Sequence, residues 1–312
     1  MGGSGGGGFF HETSKSPQNI AKEIREKENN TLNDYFDTEV ANLIRGVLVS
    51  ANDRDTNAVQ THLATIEDAL HKDVDGFIDL RYAGSVSKHT YVDGLSDIDT
   101  LAIINECHLS NLSPDAVKQY FYDKLKERLP SSDIRIGDLA VTVKFSSGFE
   151  IQVLPVLKDE TGIKIPSSRR PNAWSHIIQP ENFAKILRYT NAKMSGKLVP
   201  VIKLAKSIIS SFGDARKMAG YHVEALAVEV FAKYAGPKNP KAMLNHFFSE
   251  GSKLVLDPVK DKTGQSIHVD DYLGAPGSVN RKMVADSLAT VARKMQNADG
   301  SREIRNWEQL LK

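Results

Sequence analysis

The chain has 312 residues, of which 40% are hydrophobic and 25% are charged, as in an ordinary globular protein with room for one large domain or two closely packed lobes. Its formal net charge of +1 provides no bulk attraction for DNA, RNA or an anionic membrane, so activation by nucleic acid is not favoured. The only cysteine, Cys107, excludes an internal disulfide, and no apolar run is long enough to span a bilayer. We expect a cytoplasmic protein without membrane partners.

The N-terminal half of the chain predicts helices followed by short strands. Residues 1–15 are rich in glycine and predict a flexible tail. Capping residues and helical spacing predict two separate helices, one from Ser16 to about Lys27 and one that begins at Asn33 or Asp34. The further elements are a helix at Asn57–His71, strands at Phe77–Tyr82, Asp99–Ile104, Leu139–Phe145 and Phe149–Leu157, and one intervening helix at Pro114–Arg128.

The C-terminal half is predicted to be helical after a break in the pattern. Residues 158–180 are rich in Pro, Ser, Arg and Gly and predict a long connection or lid. From Glu181 the apolar spacing is that of helices almost to the end. The prediction is therefore an α+β protein, in which residues 16–180 form a lobe with a small mixed sheet and residues 181–312 form a helical lobe.

The most informative motif joins a glycine-serine turn to two aspartates. Gly84-Ser85 precedes Asp97 and Asp99 at the start of an apolar strand. Side chains two apart in a strand share a face, so the two carboxylates can bind the same metal ions. A Gly-Ser turn brings backbone N–H groups and a hydroxyl close to a phosphate. Together these features predict a nucleotidyltransferase.

A third acidic ligand is predicted on the strand that contains FEIQVLPVL. Glu150 and Gln152 share one face there, and only Glu150 carries a charge. Clustered carboxylates are costly without a cation, and oxygen ligands favour Mg²⁺, so Asp97, Asp99 and Glu150 predict a site for two Mg²⁺ ions, which Mn²⁺ could replace. Such ions activate an attacking hydroxyl and stabilise the leaving pyrophosphate.

Two features of the helical half are candidates for nucleotide binding. Lys203 and Lys206 lie on one face of an otherwise apolar helix, where lysines either reach toward solvent or meet a buried anion such as a triphosphate. Tyr221 follows a glycine in GYHVE and could stack on a nucleobase, although core packing is the alternative.

These motifs resemble those of the cGAS/DncV-like nucleotidyltransferases (CD-NTases), which make cyclic di- or trinucleotide signals. The resemblance covers most of the chain and is carried by GSVSKHTYVDGLSDID, FEIQVLPVL, IKLAK and GYHVE, the last being similar to SYHVK of the animal DNA-sensing synthase. The oligonucleotide cyclases of bacterial anti-phage CBASS operons are the most similar group. The resemblance implies a polymerase-β-like core joined to a helical lobe, with the nucleotide between them.

The resemblance also implies a role for each matching residue. Gly84 and Ser85 would hold the donor phosphates, Lys206 with its neighbour Lys203 would neutralise the triphosphate, and Tyr221 would stack on a base. The two aspartates would ligate two Mg²⁺ ions, and the third acid would ligate one of them and help to deprotonate the attacking ribose hydroxyl. The cyclic product would pass to a downstream effector, and a regulatory protein partner is compatible with this scheme.

The chain departs from the family pattern at the third acid. Many relatives have it three residues before the proline, where this chain has Gln152, whereas Glu150 lies five residues before Pro155. Glutamine cannot supply a charged ligand or act as a base. Two alternatives therefore stay open beside the cyclase: a template-free nucleotidyltransferase acting on RNA or protein, and an inactive regulator that binds nucleotide.

Overall fold

The computed structural model of the chain describes residues 17–53, 55–72, 74–93, 95, 97–167 and 170–311. The tail predicted for residues 1–15 lies outside these ranges. Among the described residues, no helix combines the length and the hydrophobicity needed to cross a membrane.

The N-terminal segment forms two helices, α1 (Pro17–Ser50) and α2 (Thr56–His71). The prediction of two separate helices within α1 was wrong. No glycine or proline lies between residues 18 and 45, so nothing in the backbone forces a break in the polar region. The predicted third helix is confirmed as α2, whose N-terminus is capped by Asp55, which accepts the N–H groups of Asn57 (3.0 Å) and Ala58 (2.9 Å).

A mixed sheet follows, and its strands are β1 (Gly76–Tyr82), β2 (Ile98–Cys107), β3 (Asp133–Ile136), β4 (Val141–Lys144) and β5 (Glu150–Lys158). Their spatial order is β1-β2-β5-β4-β3. The central strands β2 and β5 are parallel and their other neighbours pair antiparallel. A single helical turn, α3 (Gly84–Ser87), connects β1 to β2. Strand β3 was not predicted, because it is short and half polar.

One face of the sheet packs on α2 and on α4 (Pro114–Arg128). Ile98 and Ala102 of β2 and Ile151 of β5 are buried in this core. Because strand side chains alternate, Asp99 of β2 lies on the opposite face. The sheet therefore presents its acidic residues away from the α2–α4 layer.

The segment predicted as a long connection or lid is largely ordered. A short strand, β6 (Ile163–Lys164), pairs with the end of β5. Ile163 also bridges to Ile178. Ile178 and the neighbouring Ile165 are buried against Val156. These apolar contacts explain why the segment folds back on the sheet.

The rest of the chain is helical, as predicted, and shares one hydrophobic core with α1. Phe36, Val40 and Ile44 of α1 are buried in this core, so α1 packs on the C-terminal helices. The boundaries at residues 16–180 and 181–312 stay a prediction. The short last helix was not predicted, although its Trp307 is fully buried. The helices are α5 (Pro180–Lys193), α6 (Leu198–Ser210), α7 (Gly220–Phe231), α8 (Pro240–Leu254), α9 (Val279–Ser301) and α10 (Ile304–Leu311).

A buried polar cluster ties the loop after α8 to α7 and α9. Arg281 donates to Asp270 Oδ2 (2.7 Å), and both side chains are fully buried. His222 Nε2 lies 3.5 Å from the same carboxylate oxygen, and its Nδ1 is 2.8 Å from the hydroxyl of Tyr272. Buried charges are tolerated when they are paired in this way. The cluster therefore fixes the loop that follows the helical core.

This cluster predicts a loss of stability in mild acid. Burial, and secondarily Arg281, lower the pKa of His222 from 6.5 to about 4 against the opposing effect of Asp270. A neutral buried histidine stabilises the folded state above its unfolded pKa, and this stability is lost as pH falls through the folded pKa. The free energy of unfolding should therefore decrease by about 3 kcal/mol between pH ~6.5 and ~4 through this residue.

Urea unfolding across this pH range measures the effect. His222→Gln should remove that part of the pH dependence, whereas His62→Gln on α2 should leave it in place. Identical pH profiles for wild type and His222→Gln would contradict the assignment.

Candidate functional site

The Gly-Ser turn and the two aspartates meet at the start of β2. The N–H of Ala83, which precedes α3, donates to the carbonyl of Asp99 (2.8 Å). The carbonyl of Ser85 in turn accepts the N–H of Thr90 (2.9 Å). These bonds hold the turn against the acidic end of the strand. The structure thus brings Gly84, Ser85 and the aspartates together.

Gly84 is required by its contact with Asp99. Its φ of +51° lies in the left-handed region, which side chains disfavour. A Cβ atom at this position would lie 1.6 Å from Asp99 Oδ2. The turn therefore approaches the carboxylate so closely that a larger residue would displace either the turn or the Asp99 side chain.

The two carboxylates raise the electrostatic energy of the site. Burial first, and then the neighbouring Asp97, raise the pKa of Asp99, while Lys88 and Lys206 oppose this shift. Asp97 is exposed and Asp99 is partly buried. A bound cation stabilises two neighbouring carboxylates, and carboxylate oxygens are ligands that Mg²⁺ prefers. The aspartate pair therefore fits a divalent metal ion.

Gln152, not Glu150, contacts the aspartate pair. In the parallel register of β2 and β5, Gln152 lies opposite Asp99, and its Nε2 donates to Asp97 Oδ2 (2.9 Å). Glu150 lies opposite Lys144 of β4. Among the side chains that the structure describes, no group of three from His, Cys, Asp and Glu is placed to bind a metal together. Glu150 as the third ligand stays a prediction, and the amide oxygen of Gln152 is a neutral donor beside the pair.

This arrangement predicts that Gln152→Asp tightens metal binding. A carboxylate here would lie opposite Asp99 and add a charged oxygen ligand to the pair. Ligand charge sets much of the affinity for hard cations, so we expect a roughly tenfold lower Kd for Mn²⁺. Titration followed by electron paramagnetic resonance measures this, with Gln152→Leu as the uncharged control. If Glu150 already completes the site, Glu150→Gln will weaken Mn²⁺ binding and Gln152→Asp will change it little.

Lys206 is held in an ionic cluster at the boundary between the sheet and the helices. Its Nζ lies 2.7 Å from Glu224 Oε1 and donates to the carbonyl of Thr90 (3.1 Å). Lys88 Nζ lies 2.7 Å from Glu224 Oε2. Burial alone would raise the pKa of Glu224, but the two lysines outweigh it and lower this pKa. The lysine predicted to meet the triphosphate is therefore buried beside a carboxylate.

Lys203 and Tyr221 make contacts of their own. Lys203 donates to Asn52, just after α1, and its Nζ lies 4.3 Å from the ring centroid of Tyr91. Tyr221 is partly buried and donates to Asp261 Oδ1 (2.8 Å), while its ring packs edge-on against Phe183 at 4.9 Å. One side of the Tyr221 ring therefore packs in the protein interior, as the core-packing alternative predicts. Base stacking by Tyr221 and phosphate binding by Lys203 stay predictions.

Sequence reasoning missed Lys88, Thr90 and Glu224. All three lie in quoted motifs, GSVSKHT and GYHVE, but no local pattern shows that they meet in space. The available signal was a charged residue within the apolar sequence of α7, because a buried charge requires a partner. That signal points to Glu224 and Glu229, of which Glu224 is the buried one in the structure, and from there to a basic partner.

Comparison with solved structures defines the class of this fold. No family model and no curated protein matches the sequence. Solved structures with the same architecture are cGAS/DncV-like nucleotidyltransferases, so the predicted resemblance and the predicted α+β fold class are confirmed at the level of the fold.

Three of these structures show how far the likeness extends. Escherichia coli DncV bound to 3′-deoxy GTP has a TM-score of 0.63 and 10% identity over 96% of this chain and 90% of its own. Bradyrhizobium diazoefficiens CdnG, in complex with GTP, has a TM-score of 0.62 and 14% identity over 88% of this chain and 95% of its own. CdnC of E. coli MS115-1, solved with ATP, has a TM-score of 0.59 and 15% identity over 95% and 92%. The same CdnC has also been solved in complex with HORMA-deltaN.

Proposed function

We propose that this protein condenses nucleoside triphosphates into a cyclic oligonucleotide second messenger and releases pyrophosphate. The observation that carries the proposal is the contact of the Gly84 turn with Asp99, beside Asp97, in a fold shared with DncV and CdnC. A phosphate-binding turn packed against a carboxylate pair is what metal-assisted nucleotidyl transfer requires.

Six of the predicted residues have a task in this proposal. Mg²⁺, or Mn²⁺ in its place, would supply Lewis-acid stabilisation of the phosphates when bound by Asp97 and Asp99. The turn at Gly84 and Ser85 directs N–H groups and a hydroxyl toward the donor phosphates. Lys206 offers positive charge to the triphosphate. Tyr221 presents a ring that can stack on a base.

Ring closure requires a linear intermediate that stays bound between the lobes. Holding both ends of the intermediate in one cleft raises their effective concentration and favours cyclisation over release. Vibrio cholerae DncV has been solved with the linear intermediate 5′ pppA(3′,5′)pG, which supports the same sequence of steps here. The product would then activate a downstream effector in bacterial anti-phage (CBASS) signalling.

A regulatory protein partner is part of the proposal. CdnC of E. coli has been solved in complex with HORMA-deltaN. A synthase whose product triggers defence needs an activating signal, so we expect activity of the isolated chain to increase with its partner.

A cytoplasmic location fits the nucleoside triphosphate substrates.

One observation favours a second candidate, an inactive protein that binds nucleotide. Gln152 lies opposite Asp99 and donates to Asp97, so a neutral amide occupies the place next to the pair. Such a protein would bind ATP without releasing pyrophosphate.

Pyrophosphate release separates these functions. The protein is incubated with all four NTPs and Mg²⁺ or Mn²⁺, with and without added RNA or protein acceptors. Metal-dependent release without any acceptor, lost in Asp97→Asn, supports the cyclase. Release only with an acceptor identifies a template-free transferase, and ATP binding without release under either metal points to a missing activator or to the inactive regulator.

A further inference from the structure

Glu224 of α7 connects a lysine of the helical lobe to a lysine that follows the Gly-Ser turn. Its carboxylate lies 2.7 Å from Lys206 Nζ through Oε1 and 2.7 Å from Lys88 Nζ through Oε2. Lys88 comes directly after α3, whereas Lys206 belongs to α6. One side chain therefore bridges the two parts of the chain that flank the aspartate pair.

The bridge is buried and has further partners that fix its geometry. Glu224 is 1% exposed and Lys206 is 6% exposed. The hydroxyl of Thr90 donates to Glu224 Oε1 (2.5 Å), and the carbonyl of Thr90 accepts from Lys206 (3.1 Å). Free lysine side chains sample many rotamers, so these contacts remove mobility that an incoming ligand would otherwise have to restrict.

The backbone conformation around Lys88 also favours its contact with Glu224. His89 adopts a left-handed conformation with φ of 58°, which is disfavoured for a residue with a side chain. The N–H of His89 bonds to the carbonyl of Val86 (3.1 Å), and that of Thr90 bonds to Ser85 (2.9 Å). This turn directs Lys88 toward α7, where its Nζ lies 5.4 Å from the ring centroid of Tyr221.

Lys206 keeps capacity for an anion. An ammonium group has three donors, and those of Lys206 toward Glu224 and Thr90 account for two. Lys206 also lines a cavity of about 220 Å³ together with Gly220. Lys88 directly follows the turn whose Gly84 lies against Asp99. The lysine pair is therefore joined to the acidic pair through this turn.

We infer that Glu224 is a positioning residue that holds the ammonium groups of Lys88 and Lys206 as one pair, and that this pair receives the polyphosphate of a metal-bound nucleoside triphosphate. The inference rests on the proposed function, since it assigns the triphosphate end of the same site. It adds Lys88 as a binding residue and gives Glu224 a role that depends on its charge.

ATP binding in the presence of Mg²⁺, measured by isothermal titration calorimetry, tests the inference without requiring turnover. Glu224→Gln keeps the size of the side chain and removes its charge, so we expect Kd to increase roughly tenfold. Glu224→Asp keeps the charge and should stay within about threefold of wild type. Glu229→Gln is the matched control, because Glu229 lies on the same helix and pairs with Lys262 (3.1 Å).

Lys88→Met provides a second test that does not depend on how Glu224→Gln folds. It should weaken ATP binding roughly tenfold, and adding Glu224→Gln to Lys88→Met should weaken binding by less than Glu224→Gln does in wild type, because Glu224 then positions only Lys206. Thermal melting of each variant separates a binding defect from a loss of structure.

The outcomes distinguish this inference from the proposed function. If wild type binds ATP and forms product while Glu224→Gln or Lys88→Met does the same with equal affinity, the inference is overturned and the proposed function stands. Equal weakening by Glu224→Asp and Glu224→Gln, in step with a lower melting temperature, also overturns it, because the role is then only structural. If wild type binds ATP but releases no pyrophosphate, the predicted Kd changes still support the bridge. If wild type does not bind ATP, both proposals fail.

Discussion

Asp99→Asn is expected to reduce pyrophosphate release by at least roughly a thousandfold, because it removes a charged ligand from the pair that holds the metal. Asp99 lies in β2 directly against the Gly84 turn, so the substitution acts where the phosphates and the metal would meet. Its amide keeps the size of the carboxylate. The loss should therefore appear in turnover and in Mn²⁺ affinity, both of which can be measured on the same preparation.

The same variant should be at least as stable as wild type. Burial and Asp97 raise the pKa of Asp99, so ionising Asp99 destabilises the folded state as pH rises through that pKa. Asparagine removes this unfavourable charge. We expect an unchanged or higher melting temperature at pH 7, with Asp79→Asn on β1, where Asp79 pairs with Arg81, as the control. A destabilised Asp99→Asn, or one that still releases pyrophosphate like wild type, would contradict the assigned role.

Gly84→Ala is expected to reduce activity at least roughly a hundredfold, since catalytic geometry tolerates little displacement. The added Cβ would lie 1.6 Å from Asp99 Oδ2, so either the turn or the carboxylate must move. The left-handed φ adds a backbone cost of about 1–2 kcal/mol.

Gly277→Ala is the control that distinguishes the steric contact with Asp99 from the cost of a left-handed backbone. Gly277 has a comparable φ of +66°, but a Cβ there meets nothing within 4 Å. Both variants should lose similar backbone stability in urea unfolding, while only Gly84→Ala should lose pyrophosphate release. A fully active Gly84→Ala would show that the close approach of the turn is unnecessary.

Much of the fold was predictable from local pattern. Strands β2 and β5 are apolar runs with acidic starts, and α4 begins and ends where the sequence pattern predicted. These features depend on neighbours in sequence, which is why the periodicity of apolar residues identifies them. The Gly84-Ser85 and Asp97–Asp99 motifs were likewise local and were brought together as expected.

The contacts of the site were harder to predict because they join distant residues. Gln152 reaches Asp97 only because β2 and β5 are parallel and in a particular register, which a single sequence does not specify. Lys88 and Glu224 are more than a hundred residues apart, and their pairing depends on how α3 meets α7. The single helix α1 was missed for another reason: the mostly polar residues 28–33 suggested a break, but no glycine or proline there causes one.

The most direct test of the central claim is mass spectrometry of the reaction products after phosphatase treatment. The protein is incubated with all four NTPs and Mg²⁺ or Mn²⁺, alone and with its partner where one is known, beside Asp97→Asn/Asp99→Asn. The account predicts a phosphatase-resistant cyclic oligonucleotide in the wild-type reaction and none in the variant. A resistant product that persists in the variant, or wild-type products that are only linear or attached to an acceptor, would contradict it.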